Sequence, residues 1–312
     1  MLQQQTLNLD LTFATFNNDT GFFEVRLENL AGHKFPSGYP ARRAYIEFLV
    51  ILSNGDTLFK SGVLQSDYEV EGQNTTYEPH YNIINNQDQV QIYEMVMGDV
   101  NGDVTTVLER AYSPIKDNRL TPLGFTTSHA VYDTTLIAGT ALADTDFNFD
   151  GFEGSGTDVV HYHVPLNGYN GTIKVTSRVY YQSAPPKWMQ EMFAVSTPEI
   201  DAFETMYNNA DQTPVLIASD SILNIAVVTG IQENSNTKFA VYPNPTTNGV
   251  VRIKGEQIGM ITSIEVFNVR GKLIERFTSY PSKGIQLPKE TGIYFLRIGK
   301  GAENQLLRVV RN

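Results

Sequence analysis

Short apolar or aromatic runs alternate with polar turn clusters along most of the chain. LNLDLTF, FFEVRLENL, AYIEFLVIL, QVQIYEMVM, HYHVPL and IKVTSRVYY are separated by NNDTG, SNGD, DVNGD and LNGYNG. Brief runs closed by Asn, Asp and Gly are strand-and-hairpin chemistry, because those residues tolerate positive φ. The spacing predicts an antiparallel β-sandwich. Two stretches read as helices instead. PPKWMQEMFA opens on prolines, which a first helical turn accepts. TPEIDAFETMYNNA offers Thr197 as N-cap, Pro198 at the first helical position, and Ile200, Phe203 and Met206 at helical spacing.

Residues 224–237 lose the pattern and turn polar, as expected of a linker. A second β pattern follows: FAVYPNP, GVVRIKG, ITSIEVFNVRGKLIERF, KGIQL, GIYFLRI and QLLRVVRN. The expected organisation is therefore all-β. A sandwich with short C-terminal helices over 1–223 is followed by a linker over 224–237 and a small Ig-like sandwich over 238–312.

Charge separates the same segments. Residues 1–237 hold 11 basic and 29 acidic side chains, net -18, whereas 238–312 hold 12 and 5, net +7. An acidic first segment is a poor partner for nucleic acid, which needs clustered Lys and Arg. The basic residues of the second are scattered through strand-like sequence and form no such cluster. The absence of cysteine among 312 residues excludes disulfides, thiolate metal sites, a cysteine nucleophile and thioether-linked haem. No run approaches the ~18 apolar residues of a membrane helix. The start, MLQQQTLNLDLTF, lacks the basic-then-apolar order of a signal peptide.

In the second segment, Pro243 and Pro245 bracket Asn244 after Tyr242 and fix an extended entry. Arg270 and Gly271 follow IEVFNV and read as a hairpin turn, and Gly292 opens IYFLRI. YPNPT, VFNVRGKLI, LPKETGIYFLRI and the final LLRVVRN, in this order, resemble the type A sorting domain of the type IX secretion system of Bacteroidetes. That resemblance implies the type IX translocon as partner, export across the outer membrane, and a secreted or surface-attached product. It also implies a signal peptide, expected upstream of this sequence.

In the first segment the densest unusual run is ENLAGHKFPSGYPARRAYIEF, residues 28–48. Its Gly and Pro residues hold an exposed loop in one shape. His33, Lys34, Tyr39, Arg42 and Arg43 on that loop suit an anionic ligand such as a carboxylate or haem propionate. The alternative is that the arginines pair with nearby acids and His33 packs under the loop. Together with YEPHYN, DQVQIYE, KDNRLTPLGF and YYQSAPPKW, the run resembles a β-rich module at the C-terminal end of multihaem c-type cytochrome family proteins. The resemblance implies a non-catalytic part of an electron-transfer protein, with His33 ligating or neighbouring a haem. No CxxCH is present, so any such haem belongs to an upstream segment or a redox partner.

Other candidates remain. His80, near Glu78, suits a metal site, an acid–base pair or simple loop packing. His161 and His163 alternate on one face of a strand. Asp144 opens an acidic run in which Asp146, Asn148, Asp150 and Gly151 take the first, third, fifth and sixth places of a calcium loop. The twelfth place is Thr157 rather than Glu. No GxSxG, HExxH, P-loop or Rossmann fingerprint appears, so the sequence leans away from an enzyme. Two rival readings stay open: a surface glycan- or protein-binding module with a calcium-stabilised loop, and a carboxylate-dependent hydrolase.

Overall fold

The computed structural model describes residues 5–73, 76–227, 239–255, 258–300 and 303–312. The chain divides into two compact units, Met1–Gly230 and Ile231–Asn312. In chain order the first contains β1 (Leu7–Asn17), β2 (Thr20–Asn29), β3 (Arg43–Leu52), β4 (Thr57–Ser61), β5 (Ile83–Ile84), β6 (Ile92–Tyr93), β7 (Met95–Gly98) and β8 (Val104–Thr105). Then come β9 (Ser113–Asp117), β10 (Thr157–Pro165), β11 (Gly171–Gln182), α1 (Pro186–Phe193), α2 (Pro198–Asn208) and β12 (Val215–Val227).

One sheet runs β1-β2-β10-β5 and a second β12-β11-β3-β4, with β6 also pairing β3. All these pairings are antiparallel except β10 with β5. Strict alternation explains why the sheets face each other. Phe23, Val25 and Leu27 of β2 and Val160, Tyr162 and Val164 of β10 point inward. They meet Ala44, Ile46, Phe48 and Val50 of β3 and Ile173, Val175 and Val179 of β11 in one core. Phe48 stacks on Tyr162 with ring centroids 3.9 Å apart, which fastens one sheet to the other. A small sheet β8-β7-β9 is carried beside this sandwich.

Both helices form where expected. The Thr197 side chain accepts from the Ile200 N–H at 3.2 Å, capping α2. Phe193 of α1 packs on Phe203 and Tyr207 of α2. The linker expectation is trimmed: residues 224–227 are the end of β12, and 228–237 lie outside the described residues.

The second unit contains β13 (Phe239–Tyr242), β14 (Val250–Gly255), β15 (Ser263–Asn268), β16 (Leu273–Phe277), β17 (Ile285–Gln286), β18 (Gly292–Lys300) and β19 (Glu303–Arg311). The sheets β13-β14-β17 and β16-β15-β18-β19 close over Val251, Ile253, Ile264, Val266, Leu296 and Ile298. Asn244 explains the polar residue between its prolines. Its Nδ2 donates to the Arg308 carbonyl and its Oδ1 accepts from the Val310 N–H, both at 2.8 Å, so it clips the chain onto β19. Gly271 turns β15 into β16 at φ 73°, and Asn268 Oδ1 accepts from Arg270 and Lys272 N–H there.

Candidate functional site

The loop between β2 and β3 is pinned from below. Phe35 and Leu120 exchange two backbone hydrogen bonds of 2.8 Å, and Asn29 Nδ2 donates to the His33 and Leu120 carbonyls. The five residues expected to face a ligand then separate. Lys34 is buried: its Nζ donates to Asp117 at 2.9 Å and to the Leu136 carbonyl at 3.0 Å, over the Phe125 ring. Arg43 is 1% exposed and spends its guanidinium on Glu69, Gln73 and Gln182. These two cations therefore anchor the loop and do not await an anion. Arg42 is exposed and donates to the Ser37 carbonyl.

His33 is exposed as well. Its Nδ1 lies 3.0 Å from the Lys34 carbonyl oxygen. A carbonyl only accepts, so Nδ1 carries the proton and, in the neutral ring, Nε2 keeps its lone pair. Tyr39, 48% exposed, sets its ring against Trp188 of α1 at 5.7 Å, edge to face.

Trp188 forms part of a cleft beside this loop. Ala41 and Arg43 line it from the loop, Glu94, Met95 and Val96 from the β6–β7 run, Thr105 from β8, and Lys187 from α1. The Glu69 carboxylate ties two of these walls together, pairing with Arg43 and accepting from the Lys187 backbone N–H at the start of α1. Glu94 Oε1 accepts from the Lys116 ammonium at 3.0 Å. Burial lowers the Lys116 pKa, and Glu94 opposes that shift.

A hydrogen-bonded chain runs inward from Glu94. Lys116 and Asn118 both donate to the Ile92 carbonyl, and Asn118 Nδ2 also reaches His80 Nδ1 at 3.1 Å. Gln91 Nε2 approaches the same nitrogen at 2.7 Å. Backbone N–H groups of Tyr81 and Glu94 occupy the oxygens of these two amides, which fixes their orientation. His80 Nδ1 is thus an acceptor, and Nε2–H donates to Asp144 at 2.8 Å. Asp158 Oδ1 lies 3.8 Å from the same Nε2. Tyr93 O–H donates to Asp158 Oδ2 at 2.6 Å. The side chains of His80, Asp144 and Asp158 are at most 2% exposed.

The ligand atoms of these three residues lie within 4.8 Å of one another, as a metal site requires. The tautomer argues against one. A neutral histidine binds metal through a lone pair, and here the Nε2 position holds the proton while Nδ1 faces two donors. The cluster holds protons instead. Burial raises the Asp158 pKa, helped by the charge of Asp144. Burial works against the Asp144 charge too, but hydrogen bonds from His80 and from the Asp146 and Phe147 N–H groups bring that carboxyl below its ordinary range. Glu78 accepts from Tyr81 O–H, so the acids at His80 are Asp144 and Asp158.

The expected calcium ligands are not brought together. Asp144 binds His80 and Asn82, Asp146 binds His161, and Asp150 binds Arg26. Asn148 accepts from Thr121 and donates to the Phe125 carbonyl. His161 lies between Asp146 and Glu24 on opposite nitrogens, and His163 packs on Phe22.

Sequence reading missed Gln91, Asn118, Asp158 and Trp188. One signal was present: Asp158 shares its parity with inward-facing Val160 and Tyr162, so a charge sits in a core row.

Residues 240–312 match the family of secretion system C-terminal sorting domains, and the second unit contains such a domain. Its presence is consistent with secretion or display at the cell surface. Among the described residues no helix is long and apolar enough to cross a membrane. A search of curated proteins finds no match. Among solved structures, the chain is similar to a penta-haem cytochrome c552 from Thermochromatium tepidum, with 17% identity and a TM-score of 0.42. The match covers 71% of this chain and 40% of that one, so the chain spans less than half the length of that cytochrome.

Proposed function

We propose that the first unit is a non-catalytic module of an exported electron-transfer protein, and that the type IX translocon carries it out of the cell by its sorting domain. The module seats a haem-bearing segment or partner against the loop between β2 and β3. The observation that carries this reading is His33. Its ring is exposed, its Nδ1 is held by the Lys34 carbonyl, its Nε2 has no hydrogen-bond partner among the described residues, and Lys34 is locked to Asp117. A ring oriented through Nδ1 is the form in which histidine ligates iron. Arg42 supplies an exposed cation nearby for a propionate.

A ferric haem peptide with one open axial position tests the reading. Titrated with the purified chain above pH 7, it is expected to shift its Soret band to the low-spin form saturably. His33→Ala abolishes the shift, and His129→Ala, at another exposed histidine, preserves it. No shift, or an equal shift with His33→Ala, would overturn the reading.

A further inference from the structure

The cleft beside α1 has no part in seating a haem, and its chemistry is of another kind. Trp188 is the single tryptophan of the chain and a half-buried wall of the cleft. Its indole N–H has no hydrogen-bond acceptor among the described residues, and Tyr39 buttresses the ring edge-on. Glu94, another lining residue, accepts from Lys116 through Oε1, while its Oε2 takes no hydrogen bond among the described residues. The cleft therefore offers an aromatic plane, a neutral donor and a carboxylate acceptor within one small concavity. Lys187 and Thr105 also line it.

Each ligand class can be weighed against those groups. A strongly anionic ligand meets Glu94 and Glu69, and Arg43, a buried cation of the cleft wall, is already consumed by Glu69, Gln73 and Gln182. A purely apolar ligand would strip water from Glu94 and the indole N–H without replacing their hydrogen bonds, at a net loss. A pyranose satisfies both requirements: its C–H face stacks on an aromatic ring, and its hydroxyls both donate to a carboxylate and accept from an N–H. We propose that this cleft binds a neutral pyranose unit of an extracellular glycan, stacked on Trp188 and hydrogen-bonded to Glu94. The chain thereby carries a carbohydrate contact separate from the loop face of His33.

The single tryptophan makes the test direct. The full chain is titrated with neutral oligosaccharides cut from α-glucan, β-glucan, xylan, mannan and chitin, following tryptophan emission, with uronic acid oligomers as the anionic arm. A saturable change in emission is expected for at least one neutral series at millimolar sugar and not for the uronic acids. Calorimetry is expected to show Trp188→Ala binding about tenfold or more weakly, the loss of one aromatic stack. Trp188→Phe, which keeps a ring, stays within a few-fold of the parent. Unchanged unfolding midpoints for both variants exclude a folding defect. Silence across every neutral series, preference for uronic acids, or equal binding by Trp188→Ala would overturn the proposal. His33→Ala leaves sugar binding unchanged, so failure here and failure of the haem reading are separate results.

Discussion

His33 and His80 share a side chain and a neighbourhood in the loops of the first unit, yet their hydrogen bonds are inverted. At His33, Nδ1 donates to a carbonyl and Nε2 has no hydrogen-bond partner among the described residues. At His80, Nδ1 accepts from two amides and Nε2 spends its proton on a buried carboxylate. What touches one nitrogen decides what the other can do. Two amides held by backbone N–H groups turn a candidate ligand into a fastener, and one carbonyl turns a loop histidine into a presented donor atom. Chemical identity therefore says little about a histidine until its second nitrogen is accounted for.

The largest expected separation is in stability. His80→Ala leaves Asp144 without its charge-assisted donor and strands Asn118 and Gln91. Removing one partner of a buried ionic cluster costs about 3–5 kcal/mol. His33→Ala alters an exposed ring and is expected to change stability by less than about 0.5 kcal/mol. Urea unfolding followed by circular dichroism measures both. Comparable values for the two would break the contrast.

The next separation lies among the cations of the β2–β3 loop. Lys34→Ala leaves Asp117 buried beside Arg119 alone and is expected to cost about 3 kcal/mol. Arg42→Ala is expected to stay within about 0.5 kcal/mol in the same unfolding assay. These values would show that the loop's basic cluster is half foundation and half surface.

How much of this was legible follows from which forces are local. Strands, hairpin turns and the Thr197 cap were readable, because alternation, Asn/Gly turns and capping act within a few residues. The sorting domain was readable from YPNPT and the segments after it. Burial of Lys34 and Arg43 was not, since it depends on Asp117 and Glu69, placed beneath them by other elements. The partners of the acidic run were hidden for the same reason. Asp144, Asp146, Asn148 and Asp150 have calcium-loop spacing, but His80, His161, Thr121 and Arg26 reach them from distant sequence and draw them apart. The His80 cluster joins residues 80, 91, 118, 144 and 158, a set no spacing rule collects.

A smaller effect is set by pH, and the two acids at His80 pull in opposite directions. Asp144 is depressed in the folded state, so its contribution is fully present above the unfolded carboxyl pKa and is lost as pH falls through the folded value. Asp158 is raised, so its contribution is present below the unfolded pKa and is lost as pH rises through the folded value. Asp144→Asn is expected to lower the melting temperature at neutral pH and to flatten the acid limb of the profile. Asp158→Asn keeps an acceptor for Tyr93 and is expected to gain about 1 kcal/mol at pH 7, the gain fading toward acid where the native carboxyl is neutral anyway. Melting temperatures across the acid range decide it. A loss of stability at pH 7 for Asp158→Asn would mean that the native carboxylate is ionised there and satisfied.

The smallest effect carries no stability at all and reaches the contrast at its source. A neutral histidine ring holds one proton, on one nitrogen or the other. Long-range proton–nitrogen correlation on histidine-labelled protein distinguishes the protonated nitrogen from the bare one. His33 is expected to show the proton on Nδ1, and His80 on Nε2, with assignments made from His33→Ala and His80→Gln. A proton on Nε2 of His33 would break the Lys34 hydrogen bond and with it the case for a presented lone pair. A proton on Nδ1 of His80 would free its Nε2 between Asp144 and Asp158, and that cluster would then have the donor set of a metal site.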